Sequence, residues 1–178
     1  MNQGLHHTVL NRLSGLFDND LIQNNLRGMY VETMVAELLG EGWKLTGYDW
    51  AAWDIEHDDG TRLEVKQSAA KQTWASPANS KGSPSFSIKK PKQMLVGAEV
   101  TDVTERPANI YVFGWHGVAT EDANQRDVDQ WLFFVLPTSA LPDQGSIGLN
   151  PLRKLALPVR ADALRASVEQ IRLQGDTT

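Results

Sequence analysis

Three acids and a lysine, Glu32, Asp54, Glu64 and Lys66, carry the chemistry for which this chain can be read. Asp54 belongs to the run Trp53-Asp54-Ile55-Glu56, and Glu64 and Lys66 to Leu63-Glu64-Val65-Lys66-Gln67. Two carboxylates converging from neighbouring strands can hold a hard divalent cation, and an ammonium beside them can position a water for attack on a phosphodiester. With 22 acids and 8 lysines in 178 residues, about one acid-x-Lys triplet is expected by chance, and one is present. The triplet gains weight from its setting, on a strand that follows one acid-bearing strand and one acid-bearing helix.

Those elements can be read from apolar spacing and turn residues. Leu5, Val9, Leu10, Leu13, Leu16 and Phe17 recur at helical intervals, which predicts an N-terminal helix over 5–17. Asp18-Asn19-Asp20 offers caps for a second helix over 21–39, with a break expected near Gly28 and stop signals at Gly40 and Gly42. Strands are expected at 43–48, 51–56 and 61–67, with Asp58-Asp59-Gly60 as the turn between the last two. The small and polar run 75–85 reads as an exposed loop, and Phe86–Ile88 as a short strand. A short helix over 89–97, with Pro91 in its first turn, is then expected to lead to strands at 109–115 and 130–136. The last of these is apolar on both faces and is expected at the centre of the sheet. A closing amphipathic helix over 161–173 aligns Leu164, Val168 and Ile171. This order predicts a single α/β domain with a mixed central β-sheet flanked by helices.

Side chains alternate along a strand, so Glu64 and Lys66 share a face, while Val65 and Gln67 point away from it. The position of Asp54 depends on the turn. A three-residue loop 58–60 pairs His57 with Thr61 and brings Asp54 to the level of Glu64, whereas a two-residue loop would carry it to Val65. On a helical projection Glu32 borders the stripe formed by Val31, Met34, Val35, Leu38 and Leu39, and Glu37 falls on the opposite side. Glu32, with the small residues Gly28 and Ala36 one turn away on either side, is therefore the helical acid expected at the site.

Composition removes other chemistries. Without cysteine there is no disulfide, thiolate metal site or Cys nucleophile, and no phosphate-binding loop of the P-loop type occurs. Met1 to Leu10 lacks the pattern of a signal peptide, and no apolar run approaches membrane-spanning length, so a cytoplasmic protein is the default expectation. His57 and His116 have no acid or serine placed to form a triad, and Trp50, Trp53, Trp115 and Trp131 are assigned to packing. The net charge of -5 is unevenly spread. Residues 60–98 hold Arg62, Lys66, Lys71, Lys81, Lys89, Lys90 and Lys92 against Glu64 alone. This block reads either as a solvated lysine-rich loop or as a face for phosphates. Trp74 beside it reads either as a core residue or as a platform for an unpaired base.

In its pattern the chain resembles the PD-(D/E)XK nuclease superfamily, which includes restriction endonuclease-like and Holliday junction resolvase-like enzymes. The resemblance rests on Glu32 with the apolar stripe after it, on Asp54, on Glu64-Val65-Lys66 and on Gln67, and covers residues 28 to 70. The αβββαβ order extends it more loosely to about residue 115. Trp53 stands where the name-giving proline would be. The resemblance implies one nuclease-like domain over 1–178, with a core about 28–136 and the terminal helices as additions. It implies a restriction endonuclease-like core and a DNA nuclease acting in restriction, repair or recombination. Asp54 and Glu64 would hold Mg²⁺, with Mn²⁺ as a substitute, the Val65 main-chain carbonyl as a further ligand and Glu32 as an auxiliary one. Lys66 would orient or deprotonate the attacking water, and Gln67, pointing to the other face, has at most a secondary catalytic role. Lys71, Lys81, Lys89, Lys90, Lys92 and Trp74 are the candidate nucleic-acid contacts. A homodimer would suit cleavage of both strands. The alternative is a catalytically inactive nucleic-acid-binding or partner-binding domain that retains the nuclease fold.

Overall fold

The computed structural model describes residues 3–46, 52–74, 84–96 and 99–175. Its helices are α1 Gln3–Ser14, α2 Asn24–Leu39, α3 Leu149–Leu155 and α4 Ala161–Gly175. Its strands are β1 Trp43–Leu45, β2 Ile55–His57, β3 Arg62–Ala69, β4 Ser85–Ser87, β5 Gln93–Val96, β6 Glu99–Asp102, β7 Ile110–His116, β8 Trp131–Pro137 and β9 Ser146–Gly148. A five-stranded sheet in the order β1-β2-β3-β7-β8 forms the centre, and β3 and β7 run parallel within an otherwise antiparallel set. The chain is thus α/β with a mixed sheet, as its sequence predicts.

Alternation along β3 and β7 gives the sheet two buried faces. Leu63, Val65, Ile110 and Val112 pack with Val31, Val35 and Leu39 of α2 and with Leu164 and Val168 of α4. On the other face Tyr111, Phe113, Phe134 and Leu136 meet Phe86 of β4, Ile147 of β9 and Leu149 and Leu152 of α3. The C-terminal helix therefore completes the main core, while α1 leaves Leu5, Val9, Leu10 and Leu13 exposed. Among the described residues no helix is long and apolar enough to cross a membrane.

Three expectations are corrected. Of the segment expected to be helical, 89–97, the described residues 89–96 form no helix, because Gln93–Val96 pairs with Glu99–Asp102 as an antiparallel hairpin. A short apolar run between a proline and a glycine fits either period, and here strand pairing wins. Strand β8 lies at the edge of the sheet rather than its centre. Its apolar faces report that both are covered, which says nothing about its hydrogen-bonding edge. There Phe133 exchanges backbone bonds of 2.9 and 2.8 Å with Val159. The helix α2 also runs through Gly28 without a break.

The hairpin that sets the site has the three-residue turn. The His57 amide donates to the Thr61 carbonyl at 2.9 Å and the Gly60 amide to the His57 carbonyl at 2.8 Å. Gly60 has φ +87°, with open space where a Cβ would lie. Gly60→Ala should therefore cost about 1 kcal/mol through backbone strain alone, measurable by urea denaturation. An unchanged midpoint would contradict the left-handed turn.

Candidate active site

The three-residue turn pairs Glu56 with Arg62 and Ile55 with Leu63, where the ladder ends, and Asp54 follows directly, its carboxylate close enough to Glu64 to act on it electrostatically. The Asp54 backbone is tied on both sides. Its amide donates to the Leu63 carbonyl at 3.0 Å, and its carbonyl accepts from the Thr46 amide at 2.9 Å. β2 pairs with β3 only as far as Leu63, and the next rung comes from the Asp54 side chain, whose Oδ2 accepts the Val65 amide at 2.7 Å. The Val65 carbonyl, on the same side of the strand as its amide, therefore faces that edge as well.

Lys66 Nζ donates to Glu64 Oε1, which closes the ion pair between these two strand neighbours. Glu32 reaches the same group from α2, where it is half-buried while Glu37 is exposed, as the helical projection predicts. Glu32, Val65, Lys66 and Gln67 line a cavity of about 420 Å³ with Gly28 of α2 and Ser85 of β4. Glu56 is spent elsewhere, its Oε2 accepting the Trp53 indole N–H at 2.7 Å, and the Arg62 guanidinium lies 4.0 Å over the Trp53 ring.

Electrostatics bind the four groups into one unit of three carboxylates and one ammonium. Burial, then the charges of Asp54 and Glu64, raise the Glu32 carboxyl from 4.5 to about 7, with Lys66 opposing. Burial raises Asp54 against the pull of Lys66 and the Val65 amide, and burial followed by Asp54 raises Glu64. Burial alone would lower the Lys66 ammonium, but Glu64, Asp54 and Glu32 outweigh it and hold the group above its ordinary value. Lys66 is therefore a fixed cation at neutral pH. The surplus of negative charge, presented by hard oxygen donors, suits a divalent cation. Among the described residues no three acids or histidines are gathered into a ready ligand cage.

The Glu32 shift has a testable sign. Its folded value lies above the unfolded one, so the folded state binds the extra proton and loses stability as pH rises from 4.5 through about 7. Glu32→Gln removes that loss. In EDTA the variant should gain melting temperature relative to the parent between pH 5 and pH 8, and a difference that stays flat with pH would rule out the shift.

Gln67 is engaged by residues at the start of α2. Its Oε1 accepts from Arg27 Nε at 2.6 Å, and its Nε2 faces the Asn24 carbonyl and Oδ1 at 3.3 and 3.2 Å. Sequence reading passed over Arg27, which is fully buried. The available signal was its spacing, because Arg27 falls in the same stripe as Val31 and Val35. Its guanidinium also reaches Asn24 Oδ1 and Gln72 Oε1 at 2.8 Å each, and Gln125 Oε1 and the Ile22 carbonyl at 3.5 Å. Burial lowers it to about 10, so it stays charged at neutral pH.

The basic block is partly neutralised by acids distant in sequence. Lys71 pairs with Glu121 at 3.0 Å, and Lys90 with Glu105 at 3.2 Å and Asp143 at 3.4 Å. Lys89 and Lys92 are exposed, with no ion pair among the described residues, and Trp74 is 56% exposed. Lys81 and Trp50 lie outside the described residues. His57 and His116 are structural: His57 contacts Asp59 at 3.0 Å, and His116 is buried with its Nε2 at Gln130 and Asn124.

No protein-family model matches the chain, and no curated protein does. Among solved structures it is similar to a bacterial homing endonuclease, I-Ssp6803I, at 16% identity, with 87% of this chain and 97% of that chain covered and a TM-score of 0.44. A likeness at that score decides nothing about activity.

Proposed function

We propose that the protein is a metal-dependent nuclease that hydrolyses phosphodiester bonds of DNA, with Asp54, Glu64 and Lys66 at its centre and Glu32 beside them. The observation that supports this reading is the electrostatic grouping of Asp54, Glu64 and Lys66 beside the three-residue turn, with the Asp54 side chain bonded to the Val65 amide. Mg²⁺ would be held by Asp54, Glu64 and the Val65 carbonyl, with Glu32 as auxiliary, and Mn²⁺ would substitute. Bound there, it would polarise the phosphodiester and acidify a water.

The remaining work falls to the chain. The Val65 amide holds Asp54 in orientation, and Lys66, kept protonated by its acidic neighbours, stabilises the charge that develops on the phosphorus-bound oxygens. Glu32, near half-protonation at neutral pH, can take up or release a proton at the cavity wall. Lys89 and Lys92 are the exposed lysines available to a nucleic-acid backbone. Restriction, repair or recombination would each use such an activity, and a homodimer would cut both strands.

A second reading is a nucleic-acid-binding domain without catalysis. It is favoured by the contact of Lys66 with a would-be ligand oxygen of Glu64 and by the lack of a three-acid cage among the described residues. Incubating the purified protein with supercoiled plasmid and a branched duplex in Mg²⁺, Mn²⁺ or EDTA separates the two. Cleavage that needs the metal supports the nuclease, whereas binding without cleavage in either metal supports the silent domain.

A further inference from the structure

A second cavity, of about 740 Å³, adjoins the first and differs from it in chemistry. It lies between the loop that precedes α2 and the segment after β3, and is lined by Asn19, Gln23, Asn24, Asn25, Thr73 and Trp74 together with Leu21. No charged side chain is on this wall, whereas the neighbouring cavity carries Glu32 and Lys66. Asn24 lines both.

The orientation of Asn24 follows from its partners. Arg27 can only donate, so the atom facing Arg27 Nη2 at 2.8 Å must be the amide oxygen, and Gln67 Nε2 approaches that same oxygen. The Asn24 NH₂ group is left with no acceptor among the described residues. The amides of Asn19, Gln23 and Asn25 likewise make no side-chain hydrogen bond among the described residues, and Gln23 does not cap α2 with its side chain. Beside these unspent donors and acceptors stands Trp74, 56% exposed.

We propose that this cavity receives a single unpaired nucleobase next to the bond cut at the Lys66 site, a proposal that rests on the nuclease reading. A phosphate or an acidic group would find no cation there. A base is neutral and flat, can stack on an indole, and presents donors and acceptors on its edge that asparagine and glutamine amides match, adenine best of all. Arg27 acts as a positioning residue by fixing which end of Asn24 faces the base.

The test is equilibrium binding in EDTA, read by fluorescence anisotropy, with three labelled DNAs: a paired duplex, the same duplex with one unpaired adenine, and the same with an abasic site at that position. The wild-type protein should bind the adenine probe about tenfold tighter than the abasic one, within the range of base stacking on an aromatic side chain. Trp74→Ala should bring that ratio close to one, while Trp74→Phe should keep most of the preference. Equal binding of the adenine and abasic probes by the wild-type protein, or a ratio unaltered by Trp74→Ala, overturns the pocket. Plasmid cleavage in Mg²⁺ is scored separately. Cleavage without base preference leaves the nuclease standing and removes the pocket, and base preference without cleavage does the reverse.

Discussion

Lys66→Ala is expected to lower the single-turnover rate of DNA cleavage in Mg²⁺ roughly a thousandfold, in the range found when one charge-stabilising or proton-transferring group is removed. The ammonium sits on Glu64 and is held protonated by Glu64, Asp54 and Glu32, so its loss removes the only cation of that four-group unit. The same change has a second signature. Three carboxylates then face one another without an ammonium, and all three are already displaced upward. Their folded values lie above the unfolded ones, so stability in EDTA should fall more steeply than in the parent as pH rises from about 5 to about 8. Mg²⁺ should restore part of it. Lys66→Arg, which keeps the charge but changes its geometry, should recover stability more fully than rate. Cleavage by Lys66→Ala within a few-fold of the parent would remove this lysine from the reaction.

Arg27→Ala is expected to cost roughly 2 to 4 kcal/mol of folding stability, the range for buried hydrogen-bonding groups left without partners together with a cavity. The guanidinium serves Gln67, Asn24 and Gln72 at 2.6 to 2.8 Å, with longer contacts to Gln125 and Ile22. Arg27 thereby joins the start of α2, the end of β3 and the loop before β8. Arg27→Met is the decisive companion, because it retains most of the volume and none of the donors. Urea denaturation should show Met nearly as destabilising as Ala. A neutral or stabilising Met variant would mean that burying a charge among neutral amides costs as much as its hydrogen bonds return.

What could be read in advance was local. The Asp58-Asp59-Gly60 turn contains a glycine where φ is positive, and the resulting register pairs Ile55 with Leu63, next to Asp54 and Glu64. The choice of Glu32 over Glu37 followed from one helical turn of apolar neighbours. What could not be read joins residues far apart in the chain. The acids that neutralise Lys71 and Lys90 come from the region 105–143, and no window around either lysine contains them. The edge of β8 is partly covered by Val159, which comes from a different segment. Gln67 was read by its place after Lys66, although the guanidinium that occupies it lies forty residues earlier.

The two connections that frame β3 also differ in how freely they can vary during divergence. The turn at 58–60 sets the register of the hairpin, so inserting a single residue there would rotate Asp54 away from Glu64. The parallel partner of β3 enters only at Ile110, opposite Leu63, and the cost of closing so long a connection grows with the logarithm of its length. Insertions should therefore accumulate between β3 and β7 and be purged from the turn. Relatives of this chain would then differ most in length close to the Trp74 cavity, where a change of substrate costs the fold least.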